Sequence, residues 1–179
     1  MRSSCMRWCF SITSDAMSRR FSIEVAKDYF NFASAHFLIF ANGERERLHG
    51  HNYQVSVVME GELDRSGVLL DFISLKPLVK RVCDDLDHRT LIQTASPILK
   101  ISRTARSVEI IYRKQKILLP RSDVILLPLK NTSTELLAEY VAKQIRGKVQ
   151  QQFPMATIQW IEVSVEETRG QKGTFRGEF

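Results

Sequence analysis

Hydrophobic and polar residues alternate in two stretches near the N-terminus, with the period of a half-buried β-strand. The first stretch runs from Phe21 to Val25 and continues in extended form to His36. The second runs from about residue 51 to 63, after a polar loop over residues 41–48. A loop of this kind allows neighbouring strands to pair antiparallel, and we predict that these two strands do so.

Two later segments repeat apolar residues at helical spacing and predict two helices. The first covers roughly residues 73–86, where Pro77 is compatible only with the first turn. The second begins at Thr132 or Ser133, because Thr132 and Glu135 have the spacing of a capping box.

The region between the helices contains three strand-like runs within about residues 93–130, which predict an inserted β-hairpin. A last strand is predicted from Ile158 to Glu167. This order of elements predicts an α+β domain with an antiparallel sheet over residues 19–179. Residues 1–18 have no periodic pattern, so we expect a disordered extension there, with Met17 as an alternative native start.

Composition and charge limit the function classes. The 179 residues suffice for one domain, and no apolar run approaches the roughly 20 residues of a membrane span. The net charge is +6, but the basic residues are scattered, which argues against a nucleic-acid partner and suits a small anionic substrate. Cys5, Cys9 and Cys83 do not form a disulfide framework, so we expect a reducing, cytoplasmic compartment.

Three of the four histidines lie on predicted extended segments. His49 and His51 are two residues apart, so on a strand their side chains point to the same face. If the first two strands pair, His36 joins them, and three protein ligands with one open position are typical of catalytic zinc. The alternative is that two of these histidines lie on the surface and one lies in the core.

Two carboxylates, Asp87 and Glu167, are further candidates for functional residues. Asp87 precedes His88 at the end of the first predicted helix, and its carboxylate could orient the His88 imidazole for proton transfer. The alternative is that His88 only caps the C-terminus of the helix. Glu167 ends the apolar face of the last strand, where an unpaired carboxylate would be costly to bury. It matches the donor edge of a 2-amino-4-oxo-pteridine or guanine ring, unless it lies beyond the sheet in solvent.

Six ordered motifs resemble the 6-pyruvoyl-tetrahydropterin synthase / 6-carboxy-tetrahydropterin synthase family. They are Phe32-Ala33-Ser34-Ala35-His36, His49-Gly50-His51-Asn52-Tyr53, Gly67-Val68-Leu69-Leu70-Asp71-Phe72, Leu86-Asp87-His88, Thr132-Ser133-Thr134-Glu135 and Val165-Glu166-Glu167-Thr168. The resemblance covers about residues 20–90 and 130–170. The N-terminal extension and the insert lie outside it.

The resemblance implies a tunnelling fold, a ββααββ unit with two helices on one face of the sheet. It implies homotrimers that often stack as hexamers, with active sites between subunits. It assigns zinc to His36, His49 and His51, and catalysis to the pair Asp87 and His88. It also implies that Glu167 anchors the pterin ring and that Ser133 and Thr134 help to line the pterin pocket.

One departure from the family pattern concerns the reaction. In members that carry a catalytic cysteine, three or five residues separate it from the His-Gly-His motif, and this chain has Arg45 and Gly43 at those positions. Glu46 instead gives Glu-x-x-His-Gly-His, which resembles a subgroup that has a glutamate in place of the cysteine. The alternative is that Glu46 is one charge in a solvated loop, and Arg45 and Arg47 of that loop are candidates to meet a triphosphate.

These features predict a zinc-dependent lyase that acts on 7,8-dihydroneopterin triphosphate, with retro-aldol cleavage to 6-hydroxymethyl-dihydropterin and Glu46 as a catalytic group. A first alternative is cysteine-type chemistry on the same substrate, which yields 6-carboxy- or 6-pyruvoyl-tetrahydropterin. A second is a non-catalytic module that binds pterins or purines.

Overall fold

The computed structural model describes residues 20–179, and the predicted N-terminal extension with Met17 lies outside the described residues. Two helices and nine strands are present in this part of the chain. The helices are α1 (Phe72–Leu86) and α2 (Thr134–Gln152). The strands are β1 (Phe21–His36), β2 (His49–Gly61), β3 (Arg89–Gln93), β4 (Leu99–Arg103), β5 (Ser107–Tyr112), β6 (Gln115–Pro120), β7 (Val124–Leu127), β8 (Ile158–Thr168) and β9 (Gln171–Glu178).

Six strands form the main sheet in the order β7-β3-β1-β2-β8-β9. The pairs β1–β2, β2–β8 and β8–β9 are antiparallel, and both helices pack on one face of the sheet. The predicted α+β class is therefore confirmed. Near one edge of the sheet, β3 runs parallel to both β1 and β7. The chain passes through α1 before it enters β3, and through the insert before it enters β7.

Alternation along β1 and β2 creates the core of the domain. Phe32 and Tyr53 face each other across the two strands, and their rings stack with centroids 4.7 Å apart. Such aromatic cross-strand pairs fix the register of a sheet. The same register places His36 opposite His49 and Ser34 opposite His51, so the buried face of the hairpin ends in polar residues.

Asp71 is the N-cap residue of helix α1, and its carboxylate accepts hydrogen bonds from the backbone N–H groups of Ile73 and Ser74. Pro77 lies in the second turn, one turn later than the sequence predicted. The lost backbone hydrogen bond would go to Ile73, which is 77% exposed and therefore open to water. The buried side of α1 includes Cys83, as expected for a core cysteine.

The insert contains the predicted hairpin as β5 and β6, and β4 extends it to a three-stranded antiparallel sheet. Its third predicted run, β7, belongs to the main sheet instead. The insert has a small core of its own, in which Val108 and Ile110 pack with Phe37, Ile92 and Val124.

Helix α2 begins at Thr134 with Ser133 as its N-cap residue, so Thr132 does not cap it. The hydroxyl of Thr132 donates to the carbonyl of Phe37 instead. The helix start lies close to β9: a Cβ atom at Gly173 would stand 2.5 Å from the backbone nitrogen of Glu135. Within residues 20–179, no helix is long and apolar enough to cross a membrane.

Candidate metal and catalytic site

The three predicted ligand histidines meet at one end of the main sheet. His36 is the last residue of β1, and His49 and His51 lie at the start of β2, directly beside it. Their ring nitrogens and a carboxylate oxygen of Glu167 all lie within 4.8 Å of one another. The pairing of β2 with both β1 and β8 therefore places four donors of zinc-binding type around one point.

Two of the histidines are held by backbone carbonyls. Nδ1 of His36 lies 3.0 Å from the carbonyl oxygen of Thr132, and Nδ1 of His49 lies 2.8 Å from that of Arg47. When Nδ1 donates a proton in this way, Nε2 carries the lone pair that can bind a metal. The Nε2 atom of His36 is buried without a hydrogen-bond partner.

Burial lowers the pKa of His36, with the neighbouring His49 and His51 adding to the shift and the Thr132 carbonyl opposing it. The neutral imidazole is the form that ligates metals. The orphaned nitrogen, the anchored rings and the donor chemistry therefore all fit a zinc ion.

Glu167 reaches the cluster from the end of β8. Its Oε1 atom lies 2.9 Å from Nε2 of His51, although the contact lacks the geometry of a hydrogen bond. The residues before it, Val163 and Val165, are buried on the same face of β8. Glu167 is thus partly buried beside the histidines, where it could complete a ligand set or accept from a bound ring, and its role as pterin anchor stays a prediction.

Glu46 lies at the rim of the cluster. Its Oε2 atom is 4.0 Å from Nδ1 of His49 and accepts a hydrogen bond from the backbone N–H of Leu38 at 3.2 Å. The backbone N–H of Glu46 donates to the carbonyl of the same Leu38 at 2.9 Å. The carboxylate is about one-third exposed, so it is tethered and still accessible.

Asp87 and His88 form a contact pair at the edge of β1. Nδ1 of His88 lies 2.8 Å from Oδ2 of Asp87, whose Oδ1 accepts from the backbone N–H of Ala33 at 2.7 Å. Partial burial opposes ionisation of Asp87, but the Ala33 amide and the His88 imidazole outweigh it and hold the pKa below its ordinary value. A carboxylate in this state orients the imidazole for proton transfer.

The pair does not join the histidine cluster in this chain. His88 has 83% of its side chain exposed and a φ of 53°, a left-handed conformation held by its backbone N–H, which donates to the carbonyl of Ala33. It lines a cleft of about 480 Å³ with Ala33, Ala35 and Gly50, and His51 of the cluster borders the same cleft. Ala33, Ala35 and Gly50 alternate with the buried side chains of β1 and β2, so their part of the cleft lies on the face away from the helices.

Ser133 and Thr134 lie at the N-terminus of α2, immediately after the Thr132 carbonyl that holds His36. The helix start is thus fixed against the histidine cluster, close to where the predicted pterin pocket would be. Neither side chain caps α2 through a backbone hydrogen bond, and Thr134 Oγ1 lies 3.3 Å from a carboxylate oxygen of Glu135.

Sequence reasoning missed three contributors to the site. Tyr53 is fully buried, with its ring near those of His36 and His51, and its hydroxyl has no hydrogen-bond partner. Burial raises the pKa of this phenol well above its usual range. The position of Tyr53, two residues after His51, was a usable signal that its side chain shares the face of the histidines. Nothing in the local sequence indicated the contact of the Thr132 carbonyl with His36 or the packing of Arg45 against Tyr112 of the insert.

Comparisons with known proteins identify the family to which this chain is similar. The family model described as 6-pyruvoyl tetrahydropterin synthase matches residues 24–178. The Methanocaldococcus jannaschii protein named "Putative 6-carboxy-5,6,7,8-tetrahydropterin synthase" is 34% identical over 148 residues, which cover 81% of this chain and 88% of that protein. A shorter match, 48% identity over 48 residues, covers 27% of this chain and 41% of a Pyrococcus furiosus dihydroneopterin monophosphate aldolase.

Solved structures extend the similarity to the whole domain. The crystal structure of Plasmodium vivax 6-pyruvoyl tetrahydropterin synthase has a TM-score of 0.83 and 31% identity, and covers 90% of this chain and 99% of that one. Further structures of the P. vivax enzyme are of variants in which a catalytic glutamate is replaced by alanine or by cysteine. This chain belongs to the 6-pyruvoyl tetrahydropterin synthase family and is an enzyme of its pterin synthase type.

Proposed function

We propose that the protein is a zinc-dependent lyase that cleaves the side chain of 7,8-dihydroneopterin triphosphate and releases 6-hydroxymethyl-dihydropterin. The observation that carries this proposal is the tethered carboxylate of Glu46, 4.0 Å from His49, in the loop that carries the cysteine nucleophile in other family members. The only cysteine in residues 20–179, Cys83, is buried in α1, and burial raises the pKa of its thiol to about 12. A catalytic thiolate is therefore not available from it.

His36, His49 and His51 would hold the zinc ion, and its fourth position would face substrate. Zinc, when bound, would supply a Lewis acid that lowers the pKa of a substrate hydroxyl. The chain's own task is then to move protons and to orient the pterin.

The cleavage needs a base for the hydroxyl on C2′, and we assign this role to Glu46, whose carboxylate lies 4.0 Å from Nδ1 of His49. Loss of that proton turns C2′ into an aldehyde carbon as the C1′–C2′ bond breaks, and its electron pair moves into the pterin ring. A proton then returns to C1′, which leaves the 6-hydroxymethyl group, while a two-carbon aldehyde departs with the triphosphate. The similarity to an aldolase and to an enzyme with a catalytic glutamate supports this assignment.

Glu167 would orient the ring, since a carboxylate matches the N–H and amino edge of a pterin with two parallel hydrogen bonds. Ser133 and Thr134 would line the same pocket from the start of α2. A fixed ring holds the reacting carbons in place, which is worth several orders of magnitude in rate for a well-oriented reaction.

We also propose that each active site is completed by a second copy of the chain, in a homotrimer or homohexamer. His88 is 83% exposed and lies outside the histidine cluster, although His51 of the cluster borders the same cleft. We infer that a neighbouring copy presents its His88 and Asp87 to the histidine cluster of the first, where the pair would serve as the second proton-transfer group.

Mixing two inactive variants tests the two-chain site. His49→Ala lacks a ligand and His88→Ala lacks the imidazole, so each alone should be inactive. After the two are refolded together, about a quarter of the sites should combine both intact halves, because each site draws its halves from two chains at random. Activity that does not return in the mixture would contradict a shared site.

The alternative product classes are separated by one assay. The zinc-loaded protein is incubated with 7,8-dihydroneopterin triphosphate, and the pterin products are identified by mass. We expect 6-hydroxymethyl-dihydropterin, and a Glu46→Ala variant that binds zinc but turns over slowly. A 6-carboxy- or 6-pyruvoyl-tetrahydropterin product would favour the activity for which several relatives are named, and pterin binding without turnover would favour a non-catalytic module.

A further inference from the structure

The β5–β6 hairpin of the insert contacts the loop that carries Glu46. The hydroxyl of Tyr112 donates to the carbonyl of Gly43 at 2.6 Å and accepts from the backbone N–H of Arg45 at 3.2 Å. Arg113, in the hairpin turn, donates to the same Gly43 carbonyl at 3.2 Å. Only 6% of Tyr112 is exposed, so these hydrogen bonds are largely shielded from water.

The side chain of Arg45 completes this contact. Its guanidinium lies over the rings of Phe37 and Tyr112, at 5.2 Å and 5.8 Å from their centroids. It donates to Oε1 of Gln115 at 3.2 Å and to the carbonyl of Glu46 at 2.9 Å. Arg45 is thus engaged by the insert, which argues against the expectation that it meets the triphosphate.

The loop position in turn decides where the Glu46 carboxylate lies. Glu46 follows Arg45 directly, and its own tethers are the two hydrogen bonds to Leu38. The carboxylate touches only the rim of the cluster, at 4.0 Å from His49. A shift of the loop by about 1 Å would be enough to change proton transfer substantially.

We propose that Tyr112 is a positioning residue, which acts through the Gly43–Arg45 backbone to hold the Glu46 carboxylate at the histidine cluster. This inference rests on the proposed role of Glu46, and it gives the insert a function in the reaction.

Tyr112→Phe is the sharpest perturbation. It keeps the ring that packs under Arg45 and removes only the hydroxyl, so the Arg45 N–H loses its acceptor. Tyr140→Phe is the matched control, because Tyr140 is half-buried on α2, where it packs against the main core and has Asp85 of α1 as its charged neighbour. Comparable melting temperatures would show that both variants fold.

Amide hydrogen exchange tests the contact without any turnover. In Tyr112→Phe, the amides of Arg45 and Glu46 should exchange about tenfold faster than in the wild type, as expected for the loss of about 1.4 kcal/mol of local protection. Tyr140→Phe should leave both amides unchanged. Unchanged exchange in Tyr112→Phe would overturn the proposed contact.

Steady-state kinetics test the catalytic consequence. We expect kcat of Tyr112→Phe to fall about tenfold, with KM and bound zinc as in the wild type. In a Glu46→Ala background, the same substitution should change the residual rate no further, because the two residues act on one step. A further tenfold loss in that background would show that Tyr112 acts elsewhere.

The exchange and kinetic measurements together distinguish a failure of this inference from a failure of the proposed function. If the wild type forms no hydroxymethyl product, the proposed function fails, and the exchange measurement still decides whether Tyr112 holds the loop. If the product forms and Glu46→Ala is slow, an unchanged kcat in Tyr112→Phe overturns the positioning role alone.

Discussion

Replacement of His36 by glutamine should abolish the stabilisation that we expect a bound zinc ion to give to the fold. His36 is 1% exposed, and its Nε2 atom is buried without a partner. A buried polar atom without a partner costs about 1–3 kcal/mol, a cost that a bound metal removes. Glutamine approximates the size of the ring, and its amide can still donate to the Thr132 carbonyl, while the three-histidine set becomes incomplete.

The size of the effect follows from linkage. A ligand at 100 times its dissociation constant stabilises the folded state by about 2.7 kcal/mol. For a chain of this length, that corresponds to a rise in Tm of about 5–11 °C. Removal of zinc from the wild type with a chelator should therefore lower Tm by this amount, and His36→Gln should show almost none of the difference.

The assay is a pair of thermal unfolding curves, with zinc and with chelator, combined with elemental analysis of the dialysed protein. His88→Gln is the control, since His88 lies outside the histidine cluster, and it should keep the full zinc-dependent shift. A full shift in His36→Gln, or a wild type that retains no zinc after dialysis, would refute the assignment of the metal site.

Two further predictions concern stability. Gly173→Ala should lower the free energy of unfolding, measured with denaturant, by about 1–3 kcal/mol, because its Cβ would meet the backbone of Glu135 at 2.5 Å. The control is Gly147→Ala in α2, where the added Cβ has open space and should raise the free energy of unfolding by about 0.5–1 kcal/mol. Equal effects of the two substitutions would contradict the close approach at Gly173. Because the pKa of Asp87 is held below its ordinary 3.8, its ionised form stabilises the fold above that pH, and this contribution is lost as the pH falls through the lowered value. The stability difference between the wild type and Asp87→Asn should therefore shrink below about pH 4 in acid titrations of unfolding, and a constant difference would show that ionisation of Asp87 is irrelevant.

The sequence was sufficient to predict the features that depend on local periodicity. Alternation placed His36, His49 and His51 on one strand face, and helical spacing located α1 and α2. In each case the period of side-chain burial is set by backbone geometry, which neighbouring residues determine. The same reasoning extended β8 to Glu167.

Features that depend on distant contacts could not be predicted. Strand β9 was missed because it is mostly polar and depends on pairing with β8 at the sheet edge. Strand β7 was placed in the insert, since its parallel pairing with β3 leaves no local signal. The contact between Arg45 and Tyr112 joins residues 67 positions apart, and nothing in either segment indicates the other.

Strand β1 links both halves of the proposed active site. Its last residue, His36, belongs to the histidine cluster on the helix-covered face, whereas the backbone of Ala33 holds Asp87 through its N–H and His88 through its carbonyl. Because one rigid strand carries both sets of contacts, a shift of β1 would move the metal ligands and the proton-transfer pair together. In the proposed two-chain site, the geometry between the metal ligands and the imidazole would then be set by how one copy packs against the next, so substitutions that loosen subunit packing should reduce kcat before they reduce zinc content.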